Sequence, residues 1–362
     1  MKTKKIVISL FILLMSFPVF ACTSVIVSGK KSNSGRPVMY KHRDTDMLDN
    51  FIGWYKGDVY TFIGLVNRAS GGGEVWTGTN SAGFSIMNTA TYDLKDDNVP
   101  DEEMDKEGRV MYKALGSCKT LADFEKLLNT LPRPMGVEAN FGVIDAYGGA
   151  AYYEVNNHSW VKFDVNDESV APYGYLVVTN FTQTGRPQDR KGVDRYEKAC
   201  KIMSAAGDNV SGDFFCDHKF FINNISRSGA PILRDITSST IAIEGVKAGD
   251  DPLKTVMWTA CGYPTDAVSV PLMVLDGNYV PFYLKADSGE HCLMCDNALV
   301  LKGKGVDASE VCRLTERFID KKFNKLYKKW TSGKIDFDTF KAKYTKFLDV
   351  IYVRYSENLR NI

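Results

Sequence analysis

Histidine is scarce in this sequence: His42, His158, His218 and His291 are all there is in 362 residues. A cysteine–histidine catalytic pair would have to recruit one of them, and no cysteine stands in a C-G-S-C-W-like or Q-A-C-R-G-like setting. An excess of either charge is also missing. Lys and Arg total 45 against 44 Asp and Glu, a net charge of +1, which removes the basic surplus that a nucleic-acid partner favours and any long charged tail. Neither G-x-x-x-x-G-K-[ST] nor G-x-G-x-x-G occurs, so nucleotide chemistry is not indicated. No internal repeat or low-complexity stretch is present. The absences point to a globular chain acting on a small molecule, with no nucleic acid and no cofactor.

The richest stretch is the start. MKTKK is followed by the apolar run IVISLFILLMSF, a break at Pro18, and Val19-Phe20-Ala21. A basic beginning, an apolar core shorter than a membrane span and small or aliphatic residues at Val19 and Ala21 read as a signal peptide over 1–21. Export to the periplasm or the extracellular space is the expectation. Cys22 comes next. A cysteine in that place is also where bacterial lipoproteins are acylated, but the bulky Phe20 argues for ordinary cleavage. A membrane partner is expected only if Cys22 is lipidated, and then the chain is a lipid-anchored binding protein without catalysis.

After Cys22 the periodicity is strand-like. CTSVIVSG, a Gly/Ser/Asn turn and PVMYKHRD predict a hairpin that brings Cys22 near the end of the second strand. DVYTFIGL and EVWTGTNSAGFSIMNTATY extend an antiparallel sheet. A helical period over 101–131 ends at Pro132. Strands return with ANFGVIDAYGGAAYYEVNNHSWVKFDV and GYLVVTNF, helices with VDRYEKACKIMSAA and a short segment near 213–225. SSTIAIEGV, KTVMWTACGY, VSVPLMVLD and YVPFYLK read as strands. From 307 to 362 the composition shifts to charged helix, and Phe318, Phe323, Leu326, Tyr327 and Trp330 form an apolar stripe. A helical hairpin packed on the body is expected there.

The chemistry follows from Cys22 becoming residue one. A thiol attacks a carbonyl as thiolate and needs a base, and a free α-amine has an ordinary pKa of about 7.7 to 8.0. On the same residue that amine can take the thiol proton without a histidine. The rival is a Cys-His peptidase using His42, the histidine that the hairpin brings nearest.

Cys22-Thr23-Ser24, YKHRDTD with Asp44, TNSAGFSIMN with Asn80 and Asn88, VVTNF with Asn180, and VDRY with Arg195 occur in the order found in the N-terminal-nucleophile cysteine hydrolases. The chain is most similar there to the choloylglycine hydrolase and penicillin V acylase group and to the acyl-CoA:6-aminopenicillanic acid acyltransferase family. The resemblance spans 22–285. It implies an α+β fold, a four-layer αββα sandwich over 22–306, with the 307–362 helices as an extension. It further implies that Cys22 is nucleophile and base, that Asp44 receives amine or thiol hydrogen bonds, that Asn180 orients the α-amine and substrate, and that Arg195 supports the nucleophile's pocket. Asn80 or Asn88 would serve the oxyanion. Lys41 stands where the bile-salt enzymes carry arginine, and Arg43 precedes Asp44. Lys41 and Arg43 are therefore substrate or oxyanion candidates, although lysine lacks the planar fork of arginine. The implied activity is hydrolysis or transacylation of a linear non-peptide amide through a Cys22 thioester.

Each residue also has an ordinary structural role. Asp44 could cap a turn, Asn80 and Asn88 could be turn residues, and Arg195 with Glu197 could be a surface ion pair. His291 with Cys292-x-x-Cys295, and Cys216 with His218, have zinc-ligand types. The spacing lacks a second pair, so disulfides or free thiols are favoured and no metal is expected.

Overall fold

The computed structural model describes residues 21–69, 72–207, 217–275, 277, 279–286 and 291–360. The leader before Ala21 and Cys216 lie outside the described residues. In chain order the strands are β1 Ala21–Val27, β2 Val38–Asp44, β3 Asn50–Lys56, β4 Thr61–Asn67, β5 Thr77–Asn80 and β6 Ser85–Ala90. Helices α1 Glu107–Ser117 and α2 Leu121–Thr130 follow, then β7 Ala139–Ile144, β8 Ala150–Val155, β9 Trp160–Asp164 and β10 Tyr175–Val178. Helix α3 Val193–Gly207 precedes α4 His218–Phe220, which continues as a π-helical turn, Phe221–Ser226. Strands β11 Thr237–Glu244, β12 Val256–Cys261 and β13 Val270–Leu272 lead to helices α5 Leu293–Gly303, α6 Ser309–Thr331 and α7 Phe337–Leu359.

The strands form two antiparallel sheets, ordered β10-β1-β2-β11-β12-β13 and β3-β4-β5-β6-β7-β8-β9. β1 packs on β6 and β8, and β2 on β7, so the sheets lie face to face. Helix α1 covers β4, β5 and β6 from outside, while α3 covers β1 and β10 and the π-helical turn covers β11. The result is the expected αββα sandwich. Ile26, Met39, Ile63, Leu65, Met87 and Tyr152 fill the space between the sheets. Phe62, Ile86, Met111, Leu115, Phe124 and Phe141 close the outer face of the second sheet under α1 and α2.

The helices are set by local chemistry. Thr120 accepts from the Asp123 amide at 3.1 Å while the Asp123 carboxylate accepts from the Thr120 amide at 3.0 Å, a reciprocal cap that starts α2. Asp336 starts α7 by accepting from Thr339 N at 2.7 Å. Phe340, Tyr344, Leu348, Ile351 and Tyr355 recur at intervals of three and four and are all buried, which lays one stripe of α7 into the core. The hairpin α6–α7 shares that core: Phe323 meets Trp258 of β12 edge-on at 5.3 Å, and Tyr344 donates to Pro271 O of β13 at 2.7 Å.

One expectation changes, and two elements go unannounced. The alternation does not announce β3, which is paired along its length with β4. The segment YVPFYLK is a turn and not a strand; Leu284 O accepts from Ile52 N at 2.7 Å and Tyr283 donates to Leu348 O, so it caps β3 and anchors α7. Helix formation also begins at α5, before residue 307. None of the described helices is long and apolar enough to cross a membrane.

Because Phe323 fills the joint between α6 and the first sheet, Phe323→Ala is expected to cost about 3–5 kcal/mol. The whole urea unfolding transition should move as one. An early separate loss of helix with an unmoved main transition would show that α6 and α7 fold independently.

Candidate active site

β1 and β2 pair with Cys22 opposite Arg43, Ser24 opposite Lys41 and Thr23 opposite His42. Directly opposed side chains share a face and successive ones alternate. Cys22, Lys41 and Arg43 therefore point toward the second sheet, as does Ser24, which accepts from the Tyr152 hydroxyl at 3.0 Å. His42 points to the helical layer, where its ring nitrogens lie 3.1 Å from Ser226 Oγ and 3.1 Å from Thr237 Oγ1. The Cys22–His42 pair is excluded by this parity, since the two side chains are on opposite faces of the sheet.

Asn180 and Arg195 converge on Cys22 from the end of β10 and the first turn of α3. The Cys22 backbone N–H donates to Asn180 Oδ1 at 2.8 Å. Arg195 donates to the same oxygen at 2.7 Å, to Thr23 Oγ1 at 3.3 Å and to the Cys22 carbonyl. Asn180 Nδ2 donates to Ala90 O at 2.7 Å. Two donors on one side and a carbonyl on the other leave the Asn180 amide a single orientation. Both side chains are buried, so their bonds are shielded from water and Arg195 is no surface ion pair. Gly192 makes room for the guanidinium: it has φ 75°, and a Cβ there would meet Arg195 Nη2. The loop is held by Asn140, whose Nδ2 donates to Thr89 Oγ1 at 3.1 Å and Phe181 O at 3.1 Å, and by Thr89, which donates to Thr179 O at 2.7 Å.

Lys41 reaches across to the second sheet. Its Nζ donates to Trp76 O at 2.6 Å and to Asn88 Oδ1 at 2.8 Å. The Lys41 ammonium only donates, so in that form Asn88 presents its oxygen to Lys41, and its Nδ2 has no protein acceptor among the described residues. Burial pushes the Lys41 ammonium down to about 7, and an anionic Cys22 favours its charged form. Arg43 stacks over the Trp76 ring at 5.2 Å and donates to Asn50 Oδ1 at 2.6 Å. Burial lowers it to about 10.

Asp44 differs from its expected role. Its oxygens are taken by Thr237 Oγ1 at 2.7 Å, Arg234 Nε at 2.9 Å and His42 Nε2 at 3.3 Å, and none by Cys22. Burial raises its pKa, but the His42 hydrogen bond and charge, Arg234 and Thr237 outweigh it, and the carboxyl is held below its usual range. Asn80 is spent elsewhere: Nδ2 donates to Leu115 O and Cys118 O, each at 2.8 Å, and Oδ1 accepts from Ala82 N and Phe84 N, each at 3.0 Å. It is a turn residue that also satisfies carbonyls at the end of α1. Of the two asparagines, Asn88 is the one at the cavity.

That cavity, about 330 Å³, is lined by Cys22, Lys41, Arg43, Asp44, Trp76 and Asn88 with Asp105 and Glu107. No local motif marks Trp76, Asn50, Asn140, Arg234 or Glu107, because each acts through partners brought to it by the fold. The described cysteines are free thiols. Cys261 and Cys292 lie 3.9 Å apart, and Cys295 donates to Leu48 O at 3.2 Å. His291 turns away from them toward Asp296 at 3.3 Å and Asp49 at 3.6 Å, so the His291, Cys292 and Cys295 set does not converge on one point. His218 sits between Glu244 at 2.8 Å and Asp320 at 3.2 Å.

No family model and no curated protein matches the chain. Among solved structures, an N-acylethanolamine-hydrolyzing acid amidase ortholog from Caenorhabditis elegans is similar over 64% of this chain and 95% of its own, at 15% identity and a TM-score of 0.48. A mutant conjugated bile acid hydrolase from Clostridium perfringens is similar over 71% and 93%, at 11% identity and 0.46. Penicillin V acylase from Agrobacterium tumefaciens is similar over 70% and 86%, at 12% identity and 0.43. The likeness at these identities is one of fold.

Two tests follow from the geometry. Gly192→Ala puts a methyl group against Arg195 on a left-handed residue and is expected to cost about 1–3 kcal/mol, read as a lower urea midpoint; an unchanged midpoint would mean that Arg195 has room to spare. For Lys41, the folded chain binds the proton less well than the unfolded chain, whose lysine titrates near 10.4. Wild-type stability relative to Lys41→Met should therefore rise with pH from about 7 upward, by at most about 1.4 kcal/mol per pH unit. A difference that stays flat between pH 7 and 10 would show that Lys41 keeps its ordinary titration.

Proposed function

We propose that the chain is an exported N-terminal cysteine amidase, activated when cleavage between Ala21 and Cys22 converts the Cys22 amide into an α-amine. The observation that carries this reading is the 2.8 Å bond from Cys22 N to Asn180 Oδ1 at the wall of a cavity that Cys22 itself lines. In the unprocessed chain that nitrogen is an amide donor, and it stands in for the amine that cleavage would leave. Asn180 accepts one amine hydrogen and leaves the nitrogen lone pair for the thiol proton. Arg195 fixes Asn180 and the Cys22 carbonyl, so the first residue is held even without a chain before it.

In the proposed reaction the α-amine takes the Sγ proton and the thiolate attacks the carbonyl carbon of a linear non-peptide amide. Asn88 Nδ2, oriented by Lys41, donates to the developing oxyanion, and the nearby Lys41 and Arg43 charges favour it. The α-ammonium then protonates the leaving nitrogen as the C–N bond breaks, and a thioester remains on Cys22. Water, deprotonated by the α-amine, releases the acid; an amine in its place gives transacylation. Asp44 contributes charge from its bonds to Arg234 and His42 and makes no bond to the nucleophile.

Chain that begins at Cys22 is expected to hydrolyse amides, chain that retains Ala21 to be inactive, and Cys22→Ser to lose nearly all turnover. Asn88→Ala should lower kcat by about 10²–10³. Equal activity with Ala21 retained would overturn the amine base. Intact mass of the exported protein tests the start: a free Cys22 is expected, and a diacylglyceryl adduct would make it a lipid-anchored protein and end the mechanism.

A further inference from the structure

The cavity at Cys22 has a second, acidic wall that the proposed chemistry does not use. It comes from the opposite side of the sandwich, where the chain enters α1. Glu107 is 5% exposed and lines the cavity. Its Oε1 accepts from Glu138 N at 2.9 Å, and its own backbone N–H also bonds to the carboxyl. Among the described residues no lysine or arginine pairs with it. The charges acting on it are those of Asp105 and Glu138, both carboxylates, and burial pushes the Glu107 carboxyl up to about 8. A buried carboxyl is ordinarily paired.

Asp105 stands beside it on the same cavity. Among the described residues it also has no cationic partner, and the charge acting on it is that of another carboxylate, Asp101. Asp105 is the single described non-glycine residue in the left-handed region, at φ 61°. That conformation costs on the order of 1 kcal/mol and is kept where the surroundings hold it. Glu74 also lines the cavity, but Arg109 lies 3.3 Å from it. An acidic residue in the first turn of a helix is common, and capping would explain one Glu107 oxygen. It brings no positive charge to a buried carboxyl that lines the cavity of a cysteine nucleophile.

We propose that the substrate amide carries a cation, an ammonium or guanidinium group, that seats against Glu107 and Asp105 while its carbonyl reaches Cys22. This rests on the amidase reading above. The cation would supply the partner that Glu107 lacks and favour its ionised form. At about 330 Å³ the cavity is at the small end of ligand pockets, which fits a short acylated diamine or a short basic acyl amide.

The test uses chain beginning at Cys22 and two matched pairs: N-acetyl-1,5-diaminopentane against N-pentylacetamide, and N-pentyl-6-aminohexanamide against N-pentylhexanamide. The first pair places the charge on the amine side and the second on the acyl side. In one pair the cationic amide is expected to have kcat/KM about tenfold or more above its neutral partner. Glu107→Gln should reduce that ratio to about threefold or less, chiefly through KM, and Glu107→Asp should restore part of it. Equal or reversed ratios in both pairs, or a ratio untouched by Glu107→Gln, would overturn the inference while leaving the amidase standing. Calorimetry on Cys22→Ser protein separates the two failures. Binding of a cationic amide that is lost in Cys22→Ser/Glu107→Gln supports the cation site even if no amide turns over, and no binding by any of the four amides overturns it.

Discussion

The register between β1 and β2 is the constraint on which the site depends. Cys22 opposes Arg43 and Ser24 opposes Lys41, which puts the thiol and two cations on the face between the sheets. A slip of one residue in β1 would turn the thiol toward the helices and away from both cations. The register is held from both sides, because β1 also pairs with β10 and β2 with β11. The strand before the nucleophile's clamp is thus the direct neighbour of the strand that carries the nucleophile. Asn180 needs only the two residues after β10 to reach Cys22 N.

Burying so many charges together would be costly without a balance. Lys41, Arg43 and Arg195 are all nearly inaccessible, and the buried carboxylate among them, Asp44, is already matched by Arg234 and His42. Hydrogen bonds to Trp76 O, Asn88, Asn50 and Asn180 satisfy the cations but bring no negative charge. Lys41 and Arg43 therefore stand beside Cys22 with no carboxylate bonded to them among the described residues. A thiolate, and after it an oxyanion, are the charges that would complete this arrangement. Lysine suffices at position 41 because two carbonyl-type acceptors, Trp76 O and Asn88 Oδ1, fix its Nζ without a bidentate fork.

Much of the sandwich was legible because it is written in local periods. Alternation announced β1, β2, β4 and β11, and the three-and-four spacing of α2 and α6 announced the helices. YVPFYLK misled because aromatic and apolar residues suit a strand, while its backbone bonds go to β3 and α7 instead. At the site, Cys22, Asn180 and Arg195 were visible through their order in the chain, and the structure brings them into direct contact. Asp44 and Asn80 show the limit of that order: residue type and position are compatible with a place at the nucleophile, but their bonding capacity is consumed by Arg234, Thr237, Leu115 and Cys118. Partners up to 193 residues away leave no trace in a single sequence.

Ala21 adds a consequence for the order of events. It is 1% exposed and already part of β1, opposite Asp44. The Ala21–Cys22 bond is the first of β1, buried and paired with β2, whereas a protease needs several residues of extended, unpaired chain. Under the proposed activation, the cut between Ala21 and Cys22 therefore has to come before β1 docks between β10 and β2. Once it has docked, the clamp of Asn180 and Arg195 holds the first residue as firmly as the preceding chain would have. Export and folding are then coupled in one direction: cleavage first exposes the amine, and the sandwich closes on it afterwards.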